Sequence, residues 1–245
     1  MVTVYVASAM ATDYPYKLQK PSTIRQEIRD TADSYILDSG IGDEVSNNEV
    51  LDLADEYNPE YVVGKDYLHD QAKTTESVRE FMESFQDREL GATPLIPLQP
   101  PFDEHYKQLS GYEHYVLGGM AVDSVPIAKQ LKWIRDFRKA APDVYAHALG
   151  VGGGIEFVRK VAGTGLLDSV DCATPEMAAQ YGAVLDKRLR QTEVREYNGE
   201  GASKRNIPLA EFNSWQIQDV WEREANKQGL EQWGVTSGKS SMGVD

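Results

Sequence analysis

The chain of 245 residues has one cysteine, Cys172, and four histidines, His69, His105, His114 and His147. A single cysteine excludes an internal disulfide and any multi-cysteine zinc site. The histidines show no metal spacing such as H-E-x-x-H, so none is given a role and no metal or cofactor is expected. No apolar run approaches the ~18 residues needed to span a bilayer, and Met1-Val2-Thr3-Val4 lacks a basic n-region, which points to a soluble cytoplasmic protein with no membrane partner. Positive charge is also scarce: 25 Lys+Arg stand against 39 Asp+Glu, a formal charge of -14 spread along the whole chain.

Such a balance argues against a generic polyanion binder, because phosphate binding draws most of its free energy from Lys and Arg. It suits a very salty interior, where the screening length falls to ~3 Å at 1 M salt and an acidic surface costs little, and an ordinary acidic enzyme is the alternative.

What is present is alternation. Strand-like apolar runs lie at residues 2–7, 34–38, 60–64, 94–99, 115–122, 144–149 and 167–171. Helical patterns lie between or after them, at 22–32, 47–57, 75–85, 125–140, 155–162 and 175–189. Strands alternating with helices predict a mostly parallel sheet, and an eighth strand, for which the loop after Ala7 is a candidate place, would close a barrel. The run at 94–99 is unusual because Pro94 and Pro97 each remove a ladder donor. The predicted organisation is a barrel over residues 1–189, a polar loop and amphipathic helix over 190–233, and a flexible tail over 234–245. The apolar side of that helix is assigned to Leu209, Phe212, Trp215, Ile217, Val220 and Trp221.

Asp38 and Asp171 both stand where a β-run meets a loop, so in a barrel both would face one mouth. Two carboxylates in one cleft allow a nucleophile and a proton shuttle, as in displacement at a sugar carbon. The competing reading is that each caps the next helix, which position alone favours. Asp66, Gln99 and the Gly118-Gly119 pair combine a carboxylate, an amide and accessible backbone N–H groups, a set able to satisfy a purine edge. The run Gly150-Val151-Gly152-Gly153-Gly154 lacks the G-x-G-x-x-G dinucleotide pattern and reads as close backbone approach in a βα turn. Lys129, Lys132, Arg135, Arg138 and Lys139 form one local basic cluster and Arg188, Arg190, Arg195, Lys204 and Arg205 another; each is a solvated face or a nucleic-acid track.

Taken together these residues resemble the guanine-exchanging transglycosylases, the queuine and archaeosine tRNA-ribosyltransferases and their DNA-modifying relatives. The family's D-S-G-G is similar to Asp38-Ser39-Gly40-Ile41, its base-reading aspartate to Asp66, and its V-Q-G strand end to Leu98-Gln99. G-G-L-A-V is similar to Gly118-Gly119-Met120-Ala121-Val122, M-G-V-G to Leu149-Gly150-Val151-Gly152, and F-D-C-V to Val170-Asp171-Cys172-Ala173. The six motifs occur in the family's order, and that collinearity reverses the preference for capping. The resemblance implies a TIM-type (β/α)8 barrel, complete or trimmed. It implies Asp171 as nucleophile at C1′ of a target guanosine and Asp38 as general acid/base. Asp66, Gln99, Gly118, Gly119, Ser39, Gly40, Leu149 and Gly150 would bind the base, with Leu149 packed on its face.

The family's tRNA-acting members carry a C-x-C-x2-C zinc site after the barrel, which one cysteine cannot supply, and no zinc subdomain is expected here. The T-R that follows the family's nucleophile loop is Thr174-Pro175-Glu176, and the second glycine of D-S-G-G with the aromatic after it is Ile41-Gly42. A short, zinc-less member resembles most the DNA-modifying branch of phages, archaeal viruses and genomic islands, which inserts 7-cyano-7-deazaguanine or a derivative into DNA. A haloarchaeal virus or its host would fit the acidic composition. The expected partners are therefore DNA and a 7-deazaguanine base, and tRNA is the alternative polymer. The Ile41-Gly42 segment keeps a non-catalytic deazapurine-binding or partner subunit in play, and a homodimer or an accessory protein is open. A sugar-phosphate barrel enzyme rests only on the turn at Gly150.

Overall fold

The computed structural model describes residues 1–40, 44–121, 125–194 and 206–232, with side chains to residue 229. Eight parallel strands follow one another around a closed barrel: β1 (Thr3–Ala7), β2 (Tyr16–Gln19), β3 (Ser34–Leu37), β4 (Tyr61–Val63), β5 (Thr93–Leu98), β6 (His114–Leu117), β7 (Tyr145–Ala148) and β8 (Ser169–Cys172). Closure is made by β1 on β8, in register from Thr3↔Ser169 to Val6↔Cys172. The fold is a TIM barrel.

The eighth strand is β2, in the proline-bearing loop after Ala7. Its pattern is masked because Lys17 occupies an outward position that is nonetheless buried. The Lys17 ammonium donates to the Thr12 carbonyl at 2.5 Å and to the Thr31 hydroxyl, so it is hydrogen-bonded where an apolar residue would be expected. β5 tolerates both prolines: it is the longest barrel strand and keeps its register with β4 and β6 through Pro94↔Val62 and Pro97↔Val116.

Period-two alternation divides the strand residues between two cores. Val4, Tyr35, Leu37, Val62, Ile96, Leu98, Tyr115, Leu117, Ala148, Val170 and Cys172 face the helices. Tyr5, Leu18, Ile36, Val63, Leu95 and Val116 fill the barrel itself, with Tyr16, Tyr61, Tyr145 and Leu149 against them.

The helices are α1 (Gln26–Arg29), α2 (Asn47–Tyr57), α3 (Gln71–Gln86), α4 (Phe102–Gln108), α5 (Ile127–Ala140), α6 (Ile155–Val161), α7 (Thr174–Gln180) and α8 (Ile207–Gln232). Three differ from the sequence reading. The helix expected over 22–32 is a 3-10 turn, Pro21–Thr23, then α1, because Ile24 and Arg25 are extended between them. α4 was not anticipated. α7 stops at Gln180, not at 189: Gly182 takes φ +69°, and the chain turns into a hairpin of β9 (Ala183–Leu185) and β10 (Gln191–Glu193).

α8 lies against α7, α6 and β1. Asn213 donates to the Pro175 and Ala183 carbonyls and accepts from the Leu185 amide, Gln218 accepts from the Val4 amide, and Trp221 donates to the Gly152 carbonyl at 3.0 Å. Its inner stripe is Asn213, Ile217, Val220, Trp221 and Glu224. Phe212 and Trp215, assigned to that side from sequence, are instead half exposed, and Trp215 meets Tyr14 edge-on. Among the described residues no helix is long and apolar enough to cross a membrane. The tail over 234–245 and its predicted flexibility lie outside the described residues.

Candidate active site

The strand ends bring Asp38 and Asp171 to one mouth. Both line a cavity of about 330 Å³ together with Ser8, Gln19, Lys20, Glu176 and Met177. Neither caps a helix: Ser46 caps α2 in a capping box with Glu49, and the residue before α7, Ala173, makes no side-chain cap. The capping reading of both aspartates is thereby removed.

Asp171 is nearly buried, and its Oδ1 has two partners, the Gly150 amide at 2.8 Å and His147 Nε2 at 3.3 Å. A carboxylate only accepts, so with Asp171 ionised Nε2 carries the proton it shares. Gly150 reaches this position with φ +72° in the turn after β7, a conformation that favours glycine. That is the turn's use, and it agrees with the sequence reading of close backbone approach.

Asp38 stands in the opposite electrostatic setting. Burial, then the neighbouring charges of Asp66 and Asp171, raise its carboxyl from 3.8 to about 7, against smaller opposing hydrogen bonds from the Gly40 and Ser39 backbone. Ser39 is buried and donates to the Gly64 carbonyl, and Gly40 turns the chain with φ +77°, so both shape the loop. Ile41 and Gly42 lie outside the described residues, as does Val122 of the G-G-L-A-V-like run.

The structure brings together Asp66, Gln99, Gly118 and Gly119, the residues assigned to a purine edge from sequence. Gln99 is buried; its Nε2 donates to Asp66 Oδ2 at 2.5 Å and its Oε1 accepts from the His69 amide at 3.0 Å. Burial raises the Asp66 carboxyl, and the Gln99 bond opposes that rise. Gly118 and Gly119 are glycines for want of room. A Cβ on Gly118 would stand 3.1 Å from both Asp66 Oδ2 and Gln99 Nε2, and one on Gly119 would stand 3.0 Å from Gln99 Oε1 at φ +70°. Leu149 follows His147 by two residues, on the barrel-facing side of the chain, and packs on the inner core.

Sequence reasoning missed three supports. His147 lies under Asp171, and its phase with Leu149 in Tyr145-Ala146-His147-Ala148-Leu149 was the available signal. His105 holds the Gln99 backbone: its Nδ1 accepts from the Gln99 amide at 2.8 Å, and its Nε2 lies 2.9 Å from the Thr75 hydroxyl. Burial pushes the imidazole down to about 4, so it is neutral near pH 7 and donates from Nε2. Glu176 draws the loop after β1 onto the mouth, accepting from Ser8 Oγ at 2.6 Å and from the Ala9 and Met10 amides. Nothing in its local pattern announced that long-range contact. The Cys172 thiol is buried and raised by burial, as expected of a packing residue.

The basic clusters are largely engaged. Lys132 and Lys139 bond Asp136, Arg138 bonds the Val144 and Leu166 carbonyls and Asp168, and Arg190 bonds Asp186. Arg195, Lys204 and Arg205 lie outside the described residues. Lys129 is exposed over the Trp133 ring, beside a groove formed with His69, Pro100 and Pro126. Among the described residues no group of three His, Cys, Asp or Glu is arranged to hold a metal ion. In comparison with known proteins, no family model matches the chain and no curated protein matches it.

Proposed function

We propose that the protein is a guanine transglycosylase that exchanges guanine in DNA for a 7-deazaguanine base such as 7-cyano-7-deazaguanine. The observation that carries the reading is the pairing of Asp38 and Asp171 in one mouth with a separate, pre-assembled Asp66–Gln99–Gly118–Gly119 set. The motif resemblance supplies the reaction, and the two aspartates supply chemically distinct carboxylates for it.

With Asp171 Oδ1 occupied by two partners, Oδ2 is the oxygen free to attack C1′. The new Oδ2–C1′ bond forms as the C1′–N9 bond breaks, and guanine leaves with that electron pair and a proton from Asp38. The incoming base then attacks C1′, gives its N9 proton to Asp38, and returns the Oδ2–C1′ pair to Asp171. A carboxyl near 7 suits a group that gives and recovers a proton at neutral pH. Asp66 and Gln99 read the guanine-like edge and Leu149 packs on its face. The target nucleotide reaches this mouth unstacked, since C1′ and the base edge are inaccessible in a duplex.

The test incubates purified protein in molar KCl with labelled 7-cyano-7-deazaguanine and, separately, guanine-containing DNA or tRNA, followed by nucleoside mass spectrometry. Label in DNA is expected. Label only in tRNA transfers the reading to the tRNA branch, and tight binding of the base with no label in either polymer replaces it with a non-catalytic binder.

A further inference from the structure

The proposed reaction leaves His147 without a task, although it is fully buried beside Asp171. Its ring is held at both nitrogens: Nε2 lies 3.3 Å from Asp171 Oδ1 and Nδ1 lies 2.7 Å from Ser169 Oγ. Ser169 Oγ is itself 2.5 Å from the Tyr145 hydroxyl, and Tyr145 stacks on Tyr61 with centroids 5.5 Å apart. Burial, then the neighbouring Glu60 carboxylate, raises the Tyr61 hydroxyl. Tyr5 closes the remaining side, edge-on to the imidazole at 5.7 Å, and its own hydroxyl meets Ser34, which donates to Glu60. A merely satisfied core histidine needs no such alignment toward one oxygen of a reactive carboxylate.

We infer that His147 is a positioning residue that donates from Nε2 to Asp171 Oδ1 and thereby governs collapse of the covalent intermediate rather than its formation. The inference rests on the transglycosylase reading. Asp171 loses its negative charge when Oδ2 bonds C1′ and regains it when the incoming base displaces the ester. A donor on Oδ1 stabilises the charged form. It therefore holds back the attack and assists the departure, making Asp171 a better leaving group. In a buried site one charge-assisted hydrogen bond changes such a step by about ten- to a hundredfold. Gly150 supplies a second donor, but from the backbone, so His147 is the one that a substitution can remove.

The experiment follows adduct formation and release separately, by denaturing gel, using single-stranded DNA and tRNA carrying guanine, with 7-cyano-7-deazaguanine as the incoming base. His147→Phe is expected to form the covalent complex at least as fast as the parent and to release it about ten- to a hundredfold more slowly, so that adduct accumulates. His147→Gln, whose amide can stand near the Nε2 position, restores release. His147→Asn, too short to reach, does not, and this pair keeps the comparison available if the Phe variant fails to fold. Ser169→Ala gives a smaller slowing of release. Release unchanged in the Phe and Asn variants, or attack and release falling together with no rescue by Gln, overturns the inference. If the parent protein forms no adduct and exchanges no base, the transglycosylase reading falls instead. Imidazole nitrogen NMR then judges the bond alone: a protonated, hydrogen-bonded Nε2 that changes in Asp171→Ala is expected, and a bare Nε2 contradicts it.

Discussion

The two aspartates of the mouth are the same residue type at equivalent strand ends, yet their surroundings push them apart. Asp171 is met at Oδ1 by the Gly150 amide and by His147, whereas Asp38 faces two further carboxylates, Asp66 and Asp171, from a partly buried position. Groups of one kind acquire different tasks when one is given donors and the other is given like charges. The distinction lies in β7 and the turn after it: Tyr145-Ala146-His147-Ala148-Leu149-Gly150 presents one imidazole and one amide to β8 and none to β3.

On the proposed function the most damaging way to break this division is Asp171→Asn, which replaces the proposed nucleophile with an amide of nearly the same shape. Base exchange should fall by about a thousandfold or more, measured by incorporation of labelled base. Asp38→Asn comes next, with an expected loss of about a hundredfold or more, because the proposed proton shuttle would be gone while the proposed nucleophile remains.

The same variant has an opposite effect on stability. A carboxyl raised from 3.8 to about 7 on folding costs nothing below pH 4, costs more as pH rises, and reaches its full cost above pH 7. Replacing it with Asn should stabilise the protein by about 2 to 4 kcal/mol at pH 8 and not at all below pH 4, read from denaturant midpoints. A variant that is both less active and more stable at pH 8 would mark Asp38 as a functional residue held at a thermodynamic cost.

Smaller changes probe the same difference between the two carboxylates. Gly118→Ala places a methyl 3.1 Å from Asp66 and Gln99, so KM for the incoming base should rise about tenfold and Tm should fall with it. Asp66→Asn removes a like charge from beside Asp38, so the pH–rate limb near 7 should move to lower pH. Ser46→Ala, remote from the mouth, should cost about 1 kcal/mol of stability through the lost α2 cap and leave exchange unchanged.

Much of this was legible in the sequence because it is carried by local pattern. Apolar runs of five to eight residues marked seven strands, and their later positions marked Asp38, Gln99, Gly118 and Asp171. β2 was not legible because a buried lysine stands at its centre, satisfied by Thr12 and Thr31 from neighbouring loops. The end of α7 was misplaced because periodicity continues past Gly182, where the backbone does not. His147, His105 and Glu176 escaped notice because their partners are strands apart, and a histidine or glutamate facing a core looks the same in sequence whether or not it supports a site.

The proposed division of labour gives Asp171 the bond to the sugar and Asp38 the movement of the proton. Its most direct test is to incubate the protein with a guanine-containing oligonucleotide in the absence of a free base, digest the denatured complex, and map the sugar-bearing peptide by mass spectrometry. The account predicts the adduct on Asp171, absent from Asp171→Asn and still able to form, more slowly, in Asp38→Asn. An adduct on Asp38, or base exchange that persists in Asp171→Asn, would contradict it.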